Sequence, residues 1–155
     1  DPEWFGSITN TLNFKNFELF ADVYFVEGAT RLNSVLANGE LWKGAINGIR
    51  TKYYTPEFPS TEYPRPKPDT HLHLYSFAVR DASYIRLRTL TLGYNLPNRA
   101  LSGIGIDNVK IYATGTNLLT FTDFRSYSPE QDPINDGATS FPETRNITIG
   151  TNIIF

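Results

Sequence analysis

Apolar and polar residues alternate along much of this chain, and helical periodicity is weak throughout. Successive side chains of a β-strand point to opposite faces, so a period of two predicts a strand with one apolar and one polar face. The predicted strands lie near residues 4–14, 17–26, 84–96, 109–122 and 145–155. The sequence therefore predicts an all-β fold built from about five strands.

The first two strands fit an antiparallel hairpin with residues 15–16 as its two-residue turn. Opposed residues then have numbers that sum to 31, which pairs Leu12 with Leu19 and Gly6 with Phe25. Apolar residues face apolar residues along both strands in this register, and a slip of one residue would destroy the match. Turn length and hydrophobic pattern thus predict the same hairpin.

The apolar side of the strand at 84–96 changes parity part-way along. Ile85 and Leu87 occupy odd positions, whereas Leu90 and Leu92 occupy even ones. A β-bulge, or a strand that extends beyond the apolar layer, would explain this change.

Two long connections separate these strands, at residues 28–83 and 123–144. Residues 56–68 hold five prolines among thirteen residues, which forbids a helix or a central strand there. Short connections at 15–16 and 97–108 alternate with the long ones. Membrane barrels show the same alternation between short periplasmic turns and long external loops.

Strand alternation fits two architectures, a soluble antiparallel sandwich and a membrane barrel with a polar interior. Two features favour the barrel. The polar faces consist mainly of Thr, Ser, Asn and Tyr, where a soluble surface favours Lys and Glu. The strands at 17–26 and 145–155 have the 9–11 residues that cross a bilayer at a tilt. The pattern therefore favours an antiparallel transmembrane sheet over a soluble sandwich, and both stay open at this point.

Composition excludes several other functions. A net charge of −2 and a pI near 5.7 argue against nucleic-acid binding, and the absence of Cys excludes disulfides and thiolate sites. His71 and His73 lack a third ligand nearby, and the Asp-rich loop at 132–137 lacks the spacing of an EF-hand. No nucleophile–base set or phosphate loop is evident. We expect no catalytic residue, no cofactor and no resident metal, and hence not an enzyme.

The last strand carries a distinctive pattern of residues. A polar residue, a glycine, an apolar residue and a terminal aromatic follow one another at Thr148, Gly150, Ile153 and Phe155. This pattern resembles the C-terminal signal by which outer-membrane barrels are recognised for assembly.

DASYIRLRTLTLGYNLP at residues 81–97 is the most specific of several blocks that, along nearly the whole chain, resemble SusC/RagA-type TonB-dependent transporters. Others are DPEWFG at 1–6, NTLNFKNFEL at 10–19, WK at 42–43 with YPR at 63–65, IYATGTNLLT at 111–120, SPE at 128–130 and FPETR at 141–145. In the SPE block, Ser128 replaces the aspartate of the family's Asp-Pro-Glu loop.

This resemblance implies a barrel of about 22 strands with a plugged lumen. The chain would be its C-terminal portion, a transmembrane β-barrel segment from which the plug and the TonB box are absent. The loops at 28–83 and 123–144 would be external. The expected location is the outer membrane of a Gram-negative cell, in multi-pass form.

The family also implies a function and a set of partners. We expect a TonB-dependent importer of glycan or peptide oligomers that works with a SusD-like surface lipoprotein. Its other partners would be TonB (through an upstream segment), the rest of the same barrel, outer-membrane lipid and the oligosaccharide or oligopeptide substrate, but no nucleic acid.

Two sets of side chains are candidates for binding. The charged residues expected to face the lumen are Glu18, Asp22, Arg86 and Arg88, which could tune a solute path or pin the plug. The loop aromatics expected to contact the lipoprotein or substrate are Trp42, Tyr53, Tyr54, Phe58 and Tyr63. Two alternatives remain open: a passive porin or siderophore receptor, and a secreted β-sandwich that binds carbohydrate.

Overall fold

The computed structural model describes residues 1–33, 52, 54–61, 78–101, 103, 105–130 and 143–155. Its elements are β1 (Trp4–Phe14), β2 (Phe17–Glu27), β3 (Thr30–Leu32), β4 (Val79–Asp81), β5 (Tyr84–Asn95), α1 (Asn98–Leu101), β6 (Asn108–Thr122) and β7 (Asn146–Ile154). Within the described residues, no helix combines the length and the hydropathy needed to span a membrane.

The five long strands form one sheet in the order β1-β2-β5-β6-β7. β2 pairs antiparallel with β5, and β6 pairs antiparallel with β7. The antiparallel all-β fold expected from the sequence is therefore confirmed. β1 and β7 are the two outer strands of this sheet.

The β1–β2 turn has the backbone geometry that a tight hairpin requires. Lys15 has a φ of 53°, and the two-residue turns that match strand twist need a positive φ at this first position. At the far end of the hairpin, Gly6 lies against Phe25, whose ring carbon Cζ is 3.0 Å from the place of a glycine Cβ. The predicted register pairs the same two residues.

β5 contains the bulge that its change of parity predicts. Asp22 pairs with Thr89, but the next residue of β2, Val23, pairs with Leu87. Arg88 is therefore the extra residue on β5, so two residues of β5 oppose one residue of β2. The bulge brings the apolar side chains on both sides of it to the same face of the sheet.

Most of the sheet lies in a compact unit made of residues 5–26, 84–121 and 143–155. Large apolar side chains cover one face of the sheet and are exposed, with Ile147 and Ile149 each 76% accessible. Others on this face are Ile8, Leu12, Ile85, Leu92, Ile111, Leu119 and Phe121. This sheet therefore does not bury its apolar face against a second layer within the described residues.

A second compact unit consists of residues 1–4, 27–83 and 122–142. In it β3 and β4 form a two-stranded antiparallel sheet, with Arg31 opposite Arg80. Among its described residues, the buried apolar side chains are three alanines and a phenylalanine: Ala29, Ala78, Ala82 and Phe124. No sequence pattern predicts this small sheet, because three residues are too few to show an alternation.

Candidate functional site

The face opposite the apolar one carries the charged and hydroxyl side chains of the sheet. Directly opposed residues of an antiparallel pair share a face, and Glu18 opposes Gly93 while Tyr24 opposes Arg86. Asp22 lies on the same side of β2. The structure thus brings the charged candidates of β2 and β5 together on one polar face.

Lys110 on β6 reaches across β5 to Glu18 on β2. Its ammonium donates a hydrogen bond of 2.8 Å to Glu18 Oε2. Gly93 lies beneath the lysine, because a Cβ there would be 2.8 Å from Lys110 Cε. The absence of a side chain at Gly93 gives the lysine its path over the middle strand. The ion pair therefore connects three strands.

Arg86 is the most enclosed charge on this face, with 2% of its surface exposed. Its guanidinium forms an ion pair with Glu143 and donates a 3.0 Å hydrogen bond to Thr120 Oγ1 on β6. It also lies 5.1 Å from the ring centre of Tyr84. Charge-assisted bonds of this kind are stronger than neutral ones. Arg86 therefore holds Glu143, three residues before the start of β7, against β5 and β6.

The bulge places a second arginine over an aromatic ring. The guanidinium carbon of Arg88 is 3.5 Å from the ring centre of Tyr24, a cation–π contact. Tyr24 lies 6.0 Å from the ring of Tyr84, which is also under Arg86. Two cations and two aromatic rings thus form a single cluster.

The rest of the polar face is lined with hydroxyls and one enclosed carboxylate. Thr91 and Thr114 share a 2.9 Å hydrogen bond between β5 and β6. Asp22 Oδ1 is buried without a hydrogen-bond partner among the described residues. Within the residues that the structure describes, no group of three or more His, Cys, Asp or Glu could hold a metal ion. This face therefore places charged, hydroxyl and aromatic groups side by side.

The C-terminal strand distributes its pattern over both faces of the sheet. Thr148 opposes Thr114 and Gly150 opposes Tyr112 on the polar side, whereas Ile153 opposes Val109 on the apolar side. Phe155 is 83% exposed.

Two of the five loop aromatics, Tyr54 and Phe58, lie among the described residues. Phe58 is 77% exposed and Tyr54 is also exposed. Phe58 closes a tight turn with Thr55, since each backbone amide donates to the carbonyl of the other residue at 3.1–3.2 Å. Trp42, Tyr53, Tyr63, His71, His73 and residues 132–137 lie outside the described residues.

A second polar cluster lies in the unit that contains β3 and β4. Asp81 Oδ1 accepts hydrogen bonds from the Ser83 hydroxyl at 2.6 Å and from its amide at 2.8 Å. The same hydroxyl accepts from the Gly28 amide, and the Ser83 carbonyl accepts from the Thr122 hydroxyl. The hydroxyl bond, followed by the amide bond, holds the pKa of the Asp81 carboxyl below its usual value. This cluster joins three distant stretches of chain.

The comparisons with known proteins begin with two curated relatives, both from Formosa agariphila. TonB-dependent receptor P3 is 34% identical over 167 residues, which cover 99% of this chain and 16% of that protein. TonB-dependent receptor P26 is 34% identical over 173 residues, which cover 99% of this chain and 17% of that protein. The chain belongs to the TonB-dependent receptor family. It spans about a sixth of the length of these two relatives.

Solved structures give the same assignment for this TonB-dependent receptor segment. The RagAB peptide importer in its open-open state matches with a TM-score of 0.73, and its closed-closed state matches with 0.78. Both are 25% identical to this chain. The open-open match covers 100% of this chain, the closed-closed match covers 99%, and each covers 17% of the matched chain. No family model matches the sequence. The SusC/RagA resemblance is thus confirmed, and the secreted β-sandwich alternative is set aside.

Sequence reasoning missed several residues of the polar sites in this TonB-dependent receptor segment. The place of Lys110 on the polar face could have been predicted, because alternation puts it on the polar side of its strand. The place of Glu143 could not, since this residue lies in a predicted loop. The Asp81–Ser83 pair has the spacing at which an aspartate binds the backbone two residues on, and that spacing could have marked it.

Proposed function

We propose that this chain is a wall segment of an outer-membrane barrel that imports glycan or peptide oligomers. TonB would supply the energy, and a SusD-like surface lipoprotein would assist at the cell surface. The single observation that carries the proposal is a five-stranded sheet with an exposed apolar face and an ion-paired polar face. Barrels that enclose a polar lumen in lipid have these two faces.

The apolar face supports contact with the acyl chains of the membrane. Soluble proteins rarely expose a continuous apolar surface of several strands, and here large aliphatic side chains are exposed on every long strand except β2. The location that follows is the outer membrane of a Gram-negative cell, with the strands crossing it in multi-pass form. With the strands in this membrane, the connections at 28–83 and 123–144 would extend outside the cell.

The polar face supports a role inside the barrel. Glu18, Asp22, Arg86 and Arg88 would face the lumen, where ionisable side chains are tolerated because they are paired or hydrated. Arg86 and Glu18 are bound within this segment. They would stabilise the inner wall, while the cation–aromatic cluster of Arg88 and Tyr24 is suited to contact with a polar solute or with the plug.

Exposed loop aromatics support a partner at the cell surface. Phe58 stands at the end of a tight turn with most of its ring accessible, and large aromatic side chains are frequent anchors of protein interfaces. The matched RagAB structures are of a peptide importer, which supports oligopeptides as one of the two substrate classes.

Uptake by cells with and without the intact receptor gene tests this function. The strain would be offered labelled oligopeptides and labelled oligosaccharides of similar size. We expect the deletion to abolish uptake of one class, and removal of TonB or of the adjacent SusD-like protein to have the same effect. Uptake that continues without TonB would indicate a passive porin. Loss of iron–siderophore uptake alone would indicate a siderophore receptor.

A further inference from the structure

Tyr112 and Gly150 form an unusual contact at the edge of the sheet. Tyr112 on β6 is directly opposite Gly150 on β7. A Cβ on Gly150 would lie 2.5 Å from both the Cζ and the hydroxyl oxygen of the tyrosine. The end of the phenol therefore lies on top of β7, in space that any side chain at position 150 would occupy.

A similar contact between a long side chain and a glycine occurs among the inner strands of the same sheet. Lys110, two residues before Tyr112, passes over Gly93 of the neighbouring strand and binds Glu18 on the strand beyond. In both cases a long polar side chain of β6 crosses a glycine. Lys110 finds its partner on β2, whereas the Tyr112 hydroxyl has no hydrogen bond to any of the described residues.

In the proposed barrel, a further strand would lie beside β7. β7 is the last strand of the sheet, and in lipid a free strand edge must be paired, since no water is present to bind its backbone. A neighbouring strand would lie about 4.8 Å away, within reach of the phenol hydroxyl through a polar side chain. The relatives are about six times longer than this chain, so the polypeptide length for that strand exists.

We propose that Tyr112 is a positioning residue for the barrel strand beside β7. Its hydroxyl donates to a polar side chain on the strand that pairs with the free edge of β7, and that strand belongs to the rest of the same polypeptide. Gly150 is the space through which the phenol passes. The inference rests on the proposed barrel, and it adds a specific contact that fixes the register between β7 and that strand.

A photo-crosslinker at position 112 in the full-length receptor tests the partner. p-Azidophenylalanine would replace Tyr112, and the receptor would be irradiated in outer membranes before peptide mapping by mass spectrometry. We expect a cross-link within one polypeptide to a strand outside residues 1–155. A cross-link confined to residues 1–155, or one to a second polypeptide, would overturn the proposal.

The hydroxyl itself is tested by Tyr112→Phe, which keeps the ring over Gly150. We expect this variant to lose its folded, heat-modifiable form about fivefold faster on heating in detergent, the factor that one net hydrogen bond supplies. Gly150→Ala should have a similar effect, because the new methyl group displaces the phenol. Tyr127→Phe, at an exposed tyrosine outside the strands, is the matched control.

Different outcomes overturn the Tyr112 contact and the proposed function. A receptor that is heat-modifiable and in the outer membrane, but whose Tyr112→Phe form behaves like Tyr127→Phe, would overturn the Tyr112 contact and leave the proposed function intact. A wild-type receptor without a heat-modifiable form in the outer-membrane fraction would overturn both.

Discussion

The guanidinium of Arg86 pairs with the carboxylate of Glu143 at 2.5 Å, and the arginine is much the more enclosed of the two side chains. Arg86 sits in the middle of the polar face and also binds Thr120, whereas Glu143 lies just before β7 and is one-third exposed. A buried charge depends on its partner more than a hydrated one does. The pair therefore connects the start of the last strand to the centre of the sheet.

Replacing Glu143 by Gln should destabilise the receptor by about 1–3 kcal/mol, since it removes the anion from an enclosed arginine. Equilibrium unfolding in urea of the receptor in lipid vesicles measures this change. Glu57→Gln, at an exposed glutamate of a turn, is the control and should leave the midpoint unchanged. Equal midpoints for both variants would contradict a structural role for the pair.

The path of Lys110 over Gly93 predicts a coupled pair of substitutions. Gly93→Ala should cost up to about 1 kcal/mol, the range of a partly exposed ion pair, because the added methyl group would displace the lysine from Glu18. In a Lys110→Ala background the same change should be neutral or slightly stabilising, since alanine restricts the unfolded chain more than glycine does. A double-mutant cycle measures the coupling, and additive effects would show that the lysine does not need the glycine.

Two neighbouring residues of β7 should differ in how much a charged side chain destabilises the receptor. Ile149→Lys places an ammonium on the exposed apolar face and should cost about 2–4 kcal/mol near the centre of the bilayer. Thr148→Lys places it on the polar face and should cost little. The stability of each folded variant in lipid vesicles provides the comparison. Similar losses for both would argue against lipid contact on one face.

The Asp81–Ser83 cluster should weaken in acid. Because the folded-state pKa of Asp81 is lowered, its contribution to stability is complete above the unfolded value of about 3.9. That contribution is lost as pH falls through the lower folded value. Hydrogen-exchange protection of the Gly28 and Ser83 amides, corrected for intrinsic rates, measures the transition. Asp81→Asn retains an acceptor but does not titrate, so its protection should stay constant over the same pH range.

The exposed ring of Phe58 should matter for association and little for folding. Phe58→Ala removes no buried contact, so stability should change by no more than about 0.5 kcal/mol. Under the proposed function it should reduce the amount of SusD-like lipoprotein that co-purifies with the receptor. Glu57→Ala, next to it in the same turn, is the matched control. Co-purification that is unchanged by Phe58→Ala would remove this residue from the interface.

The faces of the sheet could be predicted from sequence because alternation is a local property. Glu18 and Asp22 lie on the polar side of their strand by parity alone, and the register agrees. The bulge in β5 was also visible as a change of parity between Leu87 and Leu90. These features need only neighbouring residues, and the pleat converts them directly into structure.

The partners of the charged residues could not be predicted in the same way. Lys110 and Glu18 are 92 positions apart, and Arg86 reaches a glutamate in a predicted loop. Such pairs depend on which strands are neighbours, and alternation tells only which face of its own strand a residue occupies. The β3–β4 sheet could not be predicted either, since its strands are short and distant in sequence.

The bulge at Arg88 has a consequence for how this strand tolerates a change of length. Deleting that residue would leave Ile85, Leu87, Leu90 and Leu92 in unbroken alternation with Arg86, Thr89 and Thr91. The strand could therefore shorten by one residue at this point with every remaining side chain still on its present face. What would disappear is the cation over Tyr24. A one-residue deletion here would thus change the chemistry of the polar face without changing the apolar face.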